Sequence, residues 1–229
     1  MQRLLHHEAL QMTMLQWLKS KRFLGSLAFG EGTMLRLCHE LPRHSLDMDF
    51  WFFKEVDYER FFNRLTSSLS REYDITDTQN THYFILLEIQ REEIIAGLKI
   101  TIHKAMALPG STEEKIAFSS YFPTQVLVRG FTLTQMLRNK VAALIKHAEI
   151  RDAFDLEFLV RKGVALNLSE EEKKSVVMIL KGFKKRDFEV KLGSILQPDL
   201  KMYYRRQGFA YLKEKLYFDQ WGNEGEKVN

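Results

Sequence analysis

Two aspartates, Asp47 and Asp49, stand one residue apart in the apolar run LDMDFWF. Side chains at alternate positions of a β-strand point to one face, so the two carboxylates converge if this run is a strand. Two like charges at that separation repel each other unless a cation lies between them. Mg²⁺ takes one or two carboxylates together with waters and substrate phosphates, and this pair offers such ligands. The alternative is structural, with one aspartate facing a helix N-terminus and the other solvated at a strand end.

Upstream of this pair, Gly32 and Thr33 stand between a short apolar segment and a helical pattern. Backbone N–H groups and the helix dipole can hold a phosphate at such a turn. A glycine turn alone has little weight, because most such turns only reverse the chain. The order strand, G-[GST] turn, helix and D-x-D strand is much more informative, since it puts phosphate donors and metal carboxylates at one end of one sheet.

The elements that position these residues follow from hydrophobic periodicity. The pattern predicts helices over 4–19, 33–40 and 58–69, strands over 23–29, 46–52, 82–90 and 97–104, and a loop over 105–124. After about residue 130 the pattern is helical, and it includes a helix that starts at a capping box of Ser169 and Glu172 and runs to about 186. A last helical segment covers 198–218. The fold class is therefore α+β, a mixed sheet with flanking helices followed by a C-terminal helical domain, with domains at 1–128 and 129–229.

Composition limits the classes of function. The 229 residues are 45% hydrophobic and 28% charged, which is enough for a globular core. No run of 18 apolar residues occurs, so no membrane span is expected. The single cysteine and the charged N-terminus indicate a cytoplasmic protein. The net charge of +4 permits a polyanionic partner without requiring one. The sequence has no His and Cys residues at the spacing of zinc ligands. It also lacks the Walker A, G-x-S-x-G and G-x-G-x-x-G motifs.

The order of these segments resembles the minimal nucleotidyltransferase fold, the superfamily of DNA polymerase beta and the aminoglycoside nucleotidyltransferases. More narrowly, GEGTMLRL and PRHSLDMDF resemble the opening motif of AbiEii-type toxins, G-G-T-x-L followed by R-x-S-x-D-x-D. The segment NKVAALIKHAEIRDAFDLEFL resembles that family's K-x-x-A helix and R-D-x-x-D-L motif, and KITI at 99–102 resembles its K-I-x-I strand. The three blocks occur in order across residues 24–160, which makes the match fairly specific.

The resemblance implies a role for each matching residue. The catalytic residues would be Asp47, Asp49, Lys140, Asp152 and Asp155, and the nucleotide-binding residues Gly32, Thr33, Arg43, Ser45 and Arg151. Asp47 and Asp49 would bind Mg²⁺, Arg43 would contact phosphate, and Ser45 would shape the turn. Lys140 would neutralise the triphosphate of the bound nucleotide. The alternative for the lysine and its two partner aspartates is a surface ion-pair cluster.

Two positions depart from the family pattern. Glu31 replaces the first glycine of G-G-T, which puts an acid beside the expected triphosphate. Thr101 occupies the position where the superfamily usually has a third metal carboxylate. If a four-residue turn at 93–96 joins the two hairpin strands, Glu88 lies opposite Thr101 and could supply that ligand. Otherwise Glu88 is an ordinary solvent-facing residue of a half-exposed strand.

The resemblance implies a metal-dependent nucleotidyltransferase that moves a nucleoside monophosphate from an NTP to an acceptor hydroxyl. It also implies a bacterial toxin–antitoxin setting, with tRNA as the acceptor and an antitoxin protein as the partner. One alternative is a catalytically silent member that binds a nucleotide or a partner protein. Another is an enzyme that modifies a small molecule such as an antibiotic. In the basic C-terminal helices, Tyr203 and Tyr204 would either stack on RNA or pack inside the protein.

Overall fold

The computed structural model describes residues 2–91, 94–108 and 110–218. The chain divides into two compact units, Met1–Thr132 and Leu133–Asn229. The sequence-based boundary between residues 128 and 129 falls inside a strand, Val126–Phe131, whereas the structure divides the chain after that strand ends. Across the described ranges, no helix is both long and apolar enough to cross a lipid bilayer.

The first unit is built on a mixed β-sheet. Its elements in chain order are α1 (Gln2–Ser20), β1 (Leu27–Gly30), α2 (Glu31–His39), β2 (Met48–Phe52), α3 (Tyr58–Leu69), β3 (Asp74–Asn80), β4 (Phe84–Arg91), β5 (Ile94–Met106), β6 (Thr112–Ala117) and β7 (Val126–Phe131). The seven strands are ordered β3-β4-β5-β2-β1-β7-β6. Strand β2 runs parallel to β5 and β1 runs parallel to β7, while the other neighbours are antiparallel. The predicted mixed sheet with flanking helices is confirmed.

The core of this unit lies against one face of the sheet. In β2 the buried residues Met48, Phe50 and Phe52 alternate with the half-buried Asp49 and Trp51. Burying an aromatic or aliphatic side chain of this size contributes about 1.5–3 kcal/mol. The alternation therefore anchors β2 through its apolar face and leaves the aspartate on the opposite face.

Three parts of the first unit differ from the sequence-based prediction. The predicted strand at 23–29 begins with a 3₁₀ turn at Leu24–Ser26, and only Leu27–Gly30 is extended. The predicted loop at 105–124 contains strand β6, and strand β3 was not predicted at all. Both β3 and β6 are edge strands of polar sequence, so backbone pairing with one neighbour forms them without an apolar alternation in the sequence.

The second unit is helical, as predicted. Its elements are α4 (Leu133–His147), α5 (Ile150–Arg161), α6 (Glu170–Gly182), a π-helical segment (Asp187–Leu192), α7 (Pro198–Gln207) and α8 (Ala210–Phe218). The capping box of Ser169 and Glu172 is present, with both reciprocal hydrogen bonds. The helix predicted over 198–218 is divided at Gly208, whose φ of 55° is accessible to glycine at little cost.

A buried carboxylate joins three helices of this unit. Glu157 of α5 is fully buried and accepts hydrogen bonds from Tyr204 Oη at 3.0 Å, from Arg161 Nη2 at 2.9 Å and from the backbone N–H of Leu212 at 3.2 Å. Burial and the neighbouring carboxylate raise the pKa of Tyr204. Of the two alternatives for these tyrosines, Tyr204 therefore packs inside the protein, while Tyr203 is 39% exposed.

In the first unit, helix α1 carries a buried acid that the sequence-based prediction missed. Glu8 accepts hydrogen bonds from Arg36 Nε at 2.9 Å and Ser119 Oγ at 2.7 Å, and His44 Nδ1 lies 3.5 Å from its carboxylate. Burial alone would raise the pKa of Glu8, but the groups at His44, Ser119 and Arg36 lower it to about 2. The charge of Glu8 thus joins α1 to α2 and to the segment that precedes β2.

Two further residues of α1 bind the same segment. Gln11 Nε2 donates to the carbonyl oxygens of Ser45 at 2.8 Å and Leu46 at 3.1 Å, and His7 Nε2 lies 2.7 Å from the Leu46 carbonyl oxygen. His7, Glu8 and Gln11 are all buried. The polar side of α1 therefore fixes the backbone that leads into Asp47.

The charge of Glu8 predicts a pH dependence of stability. The pKa of Glu8 is lowered from 4.5 to about 2 in the folded state. Its contribution to the free energy of unfolding is therefore fully present above pH 4.5 and is lost as the pH falls toward 2. Glu8→Gln should reduce the free energy of unfolding at pH 7 by about 3 kcal/mol and flatten its decline below pH 4.5. Urea unfolding at several pH values measures both effects.

The exposed Glu55→Gln variant is the matched control and should behave like the wild type at every pH. Equal stability of Glu8→Gln and Glu55→Gln at pH 7 would contradict a stabilising charge at Glu8.

Candidate active site

The two aspartates of the D-x-D motif lie at the start of strand β2. Asp49 is paired in register with Gly30 of β1 on one side and with Thr101 of β5 on the other. Asp47 and Asp49 are both partly exposed, while Met48 between them is buried. Asp49 therefore lies on the half-buried face of β2, opposite Met48 and Phe50, whereas Asp47 directly precedes the strand, and the convergence of the two carboxylates stays a prediction.

Thr33 connects the start of α2 to the D-x-D motif. Its side chain is completely buried, and its hydroxyl donates a hydrogen bond to the backbone carbonyl oxygen of Asp47. The hydroxyl is used inside the protein, which leaves the backbone N–H of Thr33, in the first turn of the helix, as its other donor. Gly30, which precedes α2, supplies no side-chain cap to this turn.

Arg43 and Ser45 pack directly over Gly32. A Cβ atom on Gly32 would lie 2.4 Å from Arg43 Nη2 and 2.8 Å from Ser45 Oγ, so these side chains occupy the space that glycine leaves. Arg43 is 4% exposed, and its Nη1 donates to the carbonyl oxygen of His44 at 2.9 Å. A guanidinium group and the N-terminus of α2 thus lie together, and both favour an anion.

Glu31 adopts a backbone conformation that disfavours its side chain. Its φ is 59°, in the left-handed region, where residues other than glycine are uncommon. This position is the one where the family pattern has the first glycine of G-G-T. The departure from the family pattern therefore has a conformational cost as well as an electrostatic one.

The register predicted for Glu88 was wrong. Leu86 lies opposite Thr101, and Glu88 lies opposite Lys99. Strand β5 already begins at Ile94, so the four-residue turn assumed at 93–96 does not form, although residues 92 and 93 lie outside the described chain. Glu88 Oε1 comes within 3.1 Å of the point where a Gly97 Cβ would sit, which directs the carboxylate away from Thr101. Glu88 does not replace the missing carboxylate.

The donor set at the D-x-D motif fits a metal ion that shares its ligands with a substrate. Two partly exposed carboxylates match the small number of protein ligands that Mg²⁺ takes when phosphates and waters complete its shell. Across residues 2–91, 94–108 and 110–218, no group of three or more His, Cys, Asp or Glu side chains forms a complete protein cage. Asp47 and Asp49 are the residues that would hold the ion.

In the second unit, Lys140 lies in a buried ion-pair cluster. Lys140 Nζ is 3.0 Å from Asp152 Oδ1 and 3.1 Å from Asp155 Oδ2. The lysine is 3% exposed, Asp152 is 7% exposed and Asp155 is fully buried. This is the ion-pair arrangement considered from the sequence, but it is buried instead of lying at the surface. Arg151, the neighbouring predicted site residue, is exposed.

His103 is a residue near the site that the sequence-based prediction missed. Its Nε2 lies 3.7 Å from Asp49 Oδ1. His103 follows Thr101 by two positions in β5, so both residues share the face of the sheet that carries Asp49. The strand period, applied to the K-I-x-I motif, was the signal that could have identified it.

The conformation of Glu31 predicts a difference between two substitutions. Glu31→Gly and Glu31→Ala both remove the carboxylate, but only glycine adopts a φ of 59° without strain. Glu31→Gly should therefore be about 1 kcal/mol more stable than Glu31→Ala, the cost of a left-handed conformation for a residue with a Cβ. Chemical denaturation of both variants measures this, and equal stabilities would contradict a strained backbone.

The burial of Lys140 predicts that it is needed for stability. Lys140→Met leaves Asp152 and Asp155 buried without their cation, which should cost about 3–5 kcal/mol of the free energy of unfolding. Lys146→Met, on the exposed side of the same helix, is the control and should change it by less than about 0.5 kcal/mol. Urea denaturation measures the free energy of unfolding of both variants. Equally small changes in the two would contradict a stabilising role for the Lys140 ion pairs.

Solved structures with a similar fold include three bacterial proteins. JHP933 from Helicobacter pylori is 18% identical over 96% of this chain and 98% of that chain, with a TM-score of 0.54. A putative nucleotidyltransferase from H. pylori is 18% identical over 91% and 96%, with a TM-score of 0.56. MenT4, the nucleotidyltransferase toxin Rv2826c from Mycobacterium tuberculosis H37Rv, is 15% identical over 92% and 84%, with a TM-score of 0.51. The fold of this chain is nucleotidyltransferase-like.

A comparison with curated proteins gives no match. A family model described as nucleotidyl transferase AbiEii toxin, type IV TA system, matches residues 18–206 and includes the D-x-D strand and the Lys140 cluster. Since this match covers most of the sequence, the chain belongs to the AbiEii family of nucleotidyltransferase toxins of type IV toxin–antitoxin systems.

Proposed function

We propose that this protein transfers a nucleoside monophosphate from an NTP to an acceptor hydroxyl. The acceptor oxygen forms a bond to the α-phosphorus, the bond from that phosphorus to the bridging oxygen breaks, and pyrophosphate leaves. The hydroxyl proton passes to water. The observation that carries this proposal is the contact of the D-x-D segment with the first turn of α2, where the Thr33 hydroxyl donates to the Asp47 carbonyl oxygen and Asp49 pairs with Gly30, in a chain of the nucleotidyltransferase family.

The residues of the first unit have distinct tasks in this proposal. The backbone N–H groups of Gly32 and Thr33 bind phosphate oxygens, and the Arg43 guanidinium adds positive charge beside them. Asp47 and Asp49 would hold Mg²⁺, which would supply positive charge against the phosphates during transfer. Ser45 shapes the turn, because its hydroxyl packs against Gly32. The protein contributes position and charge more than covalent chemistry.

The roles in the second unit rest on the family motifs. Lys140, which matches the K-x-x-A motif, would hold Asp152 and Asp155 in position, because its charge is already matched by these two buried carboxylates. Arg151 would assist through its exposed guanidinium. The family further suggests a cytoplasmic toxin, tRNA as acceptor and a separately encoded antitoxin protein.

A labelling experiment tests the proposed reaction. The protein is incubated with each labelled NTP, Mg²⁺ and either total tRNA or a panel of small hydroxyl acceptors. Label in RNA supports the proposal, and label only on a small acceptor supports an antibiotic-modifying enzyme on the same fold. No transfer to any acceptor would overturn the proposed activity.

A catalytically silent member of the family is the second candidate, and one observation favours it. Thr101 of β5 is the register partner of Asp49 in β2, and Leu86 of β4 is the register partner of Thr101 on the other side. Neither residue carries the carboxylate that the superfamily usually has at this place. A two-metal reaction uses a carboxylate shared between ions about 3.5–4 Å apart. In a silent member, the NTP would bind without transfer of its label.

Asp49 should control the metal dependence of nucleotide binding. The wild-type protein is expected to bind an NTP at least tenfold more tightly with Mg²⁺ than with EDTA, because the ion joins the carboxylates to the phosphates. Asp49→Ala should remove that difference without loss of stability, since a like-charge repulsion is removed with it. Isothermal titration calorimetry and thermal unfolding measure the two effects. If the effect of Mg²⁺ on NTP affinity is unchanged in Asp49→Ala, Asp49 is not a metal ligand.

A further inference from the structure

A cavity that contains two arginines lies between α3 and the segment that precedes β1. Its volume is about 290 Å³, and it is lined by Ser26, Val56, Asp57, Arg60, Phe61 and Arg64. Arg60 and Arg64 are four residues apart in α3, so they are neighbours on one side of the helix, and both are exposed. The cavity therefore presents two guanidinium groups to solvent.

This cavity is separate from the candidate active site. The backbone N–H of Phe53, the residue after β2, donates to the carbonyl oxygen of Ser26 at 3.1 Å, so the cavity lies at the C-terminal end of that strand. Asp49 precedes Phe53 by four positions, which corresponds to about 13 Å along an extended strand. Gly30 and the start of α2 lie at the same end of the sheet as Asp49. A ligand in the cavity is therefore bound by groups other than those of the D-x-D motif.

Two further cations extend the positive charge of the cavity across the ring of Phe53. The Lys54 ammonium lies 5.2 Å from the centre of this ring, and the Arg129 guanidinium lies 5.0 Å from it. We call Lys54, Arg60, Arg64 and Arg129 the cationic surface. It combines residues from α3, from β7 and from the segment after β2, so the fold brings together charges that are distant in the sequence.

The charges of the cationic surface are not neutralised by ion pairs. Within residues 2–91, 94–108 and 110–218, none of its four members forms one. Of the acids nearby, Asp57 caps α3 through a hydrogen bond of 2.9 Å with a backbone N–H, and Glu59 accepts from Asn80 at 2.9 Å. The other two acids, Glu55 and Glu114, are exposed to solvent. The cations therefore remain available to an anion from outside the chain.

Aromatic rings hold two of the arginines in place. The Arg64 guanidinium lies over the ring of Phe23, 4.5 Å from its centre, as Arg129 does over Phe53. A guanidinium group that stacks through its flat face keeps the N–H donors along its edge for other partners. Because these side chains are already ordered, they lose less conformational freedom when they bind a ligand. An anion between Arg60 and Arg64 would also relieve the repulsion of two like charges at this helical spacing.

We propose that this cavity is a second phosphate-binding site, formed by Arg60 and Arg64 and extended by the rest of the cationic surface. Guanidinium groups bind phosphate through paired, charge-assisted hydrogen bonds, which a carboxylate-free pair of arginines can supply. Small-molecule sites usually measure about 300–1,000 Å³, so a cavity at the lower end of that range suits one phosphate group better than a complete nucleotide. The phosphate belongs either to a free anion or to the backbone of a nucleic acid, and both sources share this chemistry. The proposal does not depend on the transfer reaction.

The test measures binding to the full chain in the presence of EDTA, which removes any metal from the D-x-D motif. The probes are inorganic pyrophosphate, a short labelled oligoribonucleotide and a labelled polyglutamate peptide. Isothermal titration calorimetry follows pyrophosphate, and fluorescence anisotropy follows the two labelled chains. The wild-type protein is expected to bind at least one of the phosphate-bearing probes more tightly than polyglutamate, because a carboxylate has one acceptor oxygen fewer than a phosphate monoester.

Three double variants show whether the two arginines form the site. Arg60→Gln/Arg64→Gln should weaken the phosphate-bearing probe at least about tenfold. For the oligoribonucleotide, the slope of log affinity against log salt should also fall by about 1.4, or about 0.7 for each lost phosphate contact. Arg60→Lys/Arg64→Lys keeps the charges without the paired donors and should lose less affinity. Arg3→Gln/Arg71→Gln removes two exposed arginines elsewhere in the first unit and is the control, with a change of less than about twofold. Circular dichroism verifies that each variant is folded.

The outcomes identify the ligand and separate this proposal from the proposed function. Loss of pyrophosphate affinity in the glutamine variant identifies a free anion, and loss of oligoribonucleotide affinity alone identifies backbone phosphates. Equal affinities in the glutamine variant and the control overturn the site, as does a wild-type protein that binds neither phosphate probe. Polyglutamate that binds as tightly and suffers the same loss indicates an acidic protein partner and also overturns it. Binding of an NTP with Mg²⁺ should be the same in the glutamine variant and the wild type, so either proposal can fail without the other.

Discussion

Strand β2 must satisfy two opposite requirements, and the arrangement of the first unit follows from them. Phe50 and Phe52 have to be buried, whereas Asp47 and Asp49 have to stay where water or a cation can screen their charges. Because side chains alternate, a slip of one residue would bury the acids and expose the rings. The central place of β2, between β1 and β5, fixes its register from both sides, and Gly30 on β1 brings the start of α2 to the same point. The apolar packing on the other face thus brings Asp49 next to the residue that precedes α2.

Buried ionic groups set the geometry around that strand and within the helical unit. Glu8 is bonded on several sides in the first unit, and in the second unit Lys140 contacts Asp155 while Glu157 joins three helices. A buried ion pair adds little net stability over an apolar substitute, but removing one partner is costly. Such groups therefore disfavour alternative arrangements of the elements they join. For the proposed transfer reaction, which relies on position and charge, this restriction on geometry matters more than the added stability.

The sequence was sufficient for the elements whose pattern is local. The alternation in β2 and the capping box at Ser169 each depend on residues a few positions apart, and the structure contains both. Gly32 and Thr33 were predicted to precede the helix, but they lie in the first turn of α2, which already begins at Glu31. Edge strands β3 and β6 were missed, since backbone pairing forms them without an apolar pattern. The register of Glu88 depended on the length of one turn, and the partners of Glu8 lie on distant segments. These features follow from the closed tertiary structure, which no local window of sequence contains.

The contact between Glu8 and Ser119 has a consequence for the order in which the protein matures. Its two ends are 111 positions apart, so during translation Glu8 leaves the ribosome long before its partner. Closing so long a loop requires the intervening strands to be paired first, because chain entropy opposes the contact. A nascent chain that stops before Ser119 would carry Asp47 and Asp49, yet Glu8 would lack one of its buried partners. The link between α1, α2 and the segment that leads into Asp47 is therefore completed only after about half of the chain has been made.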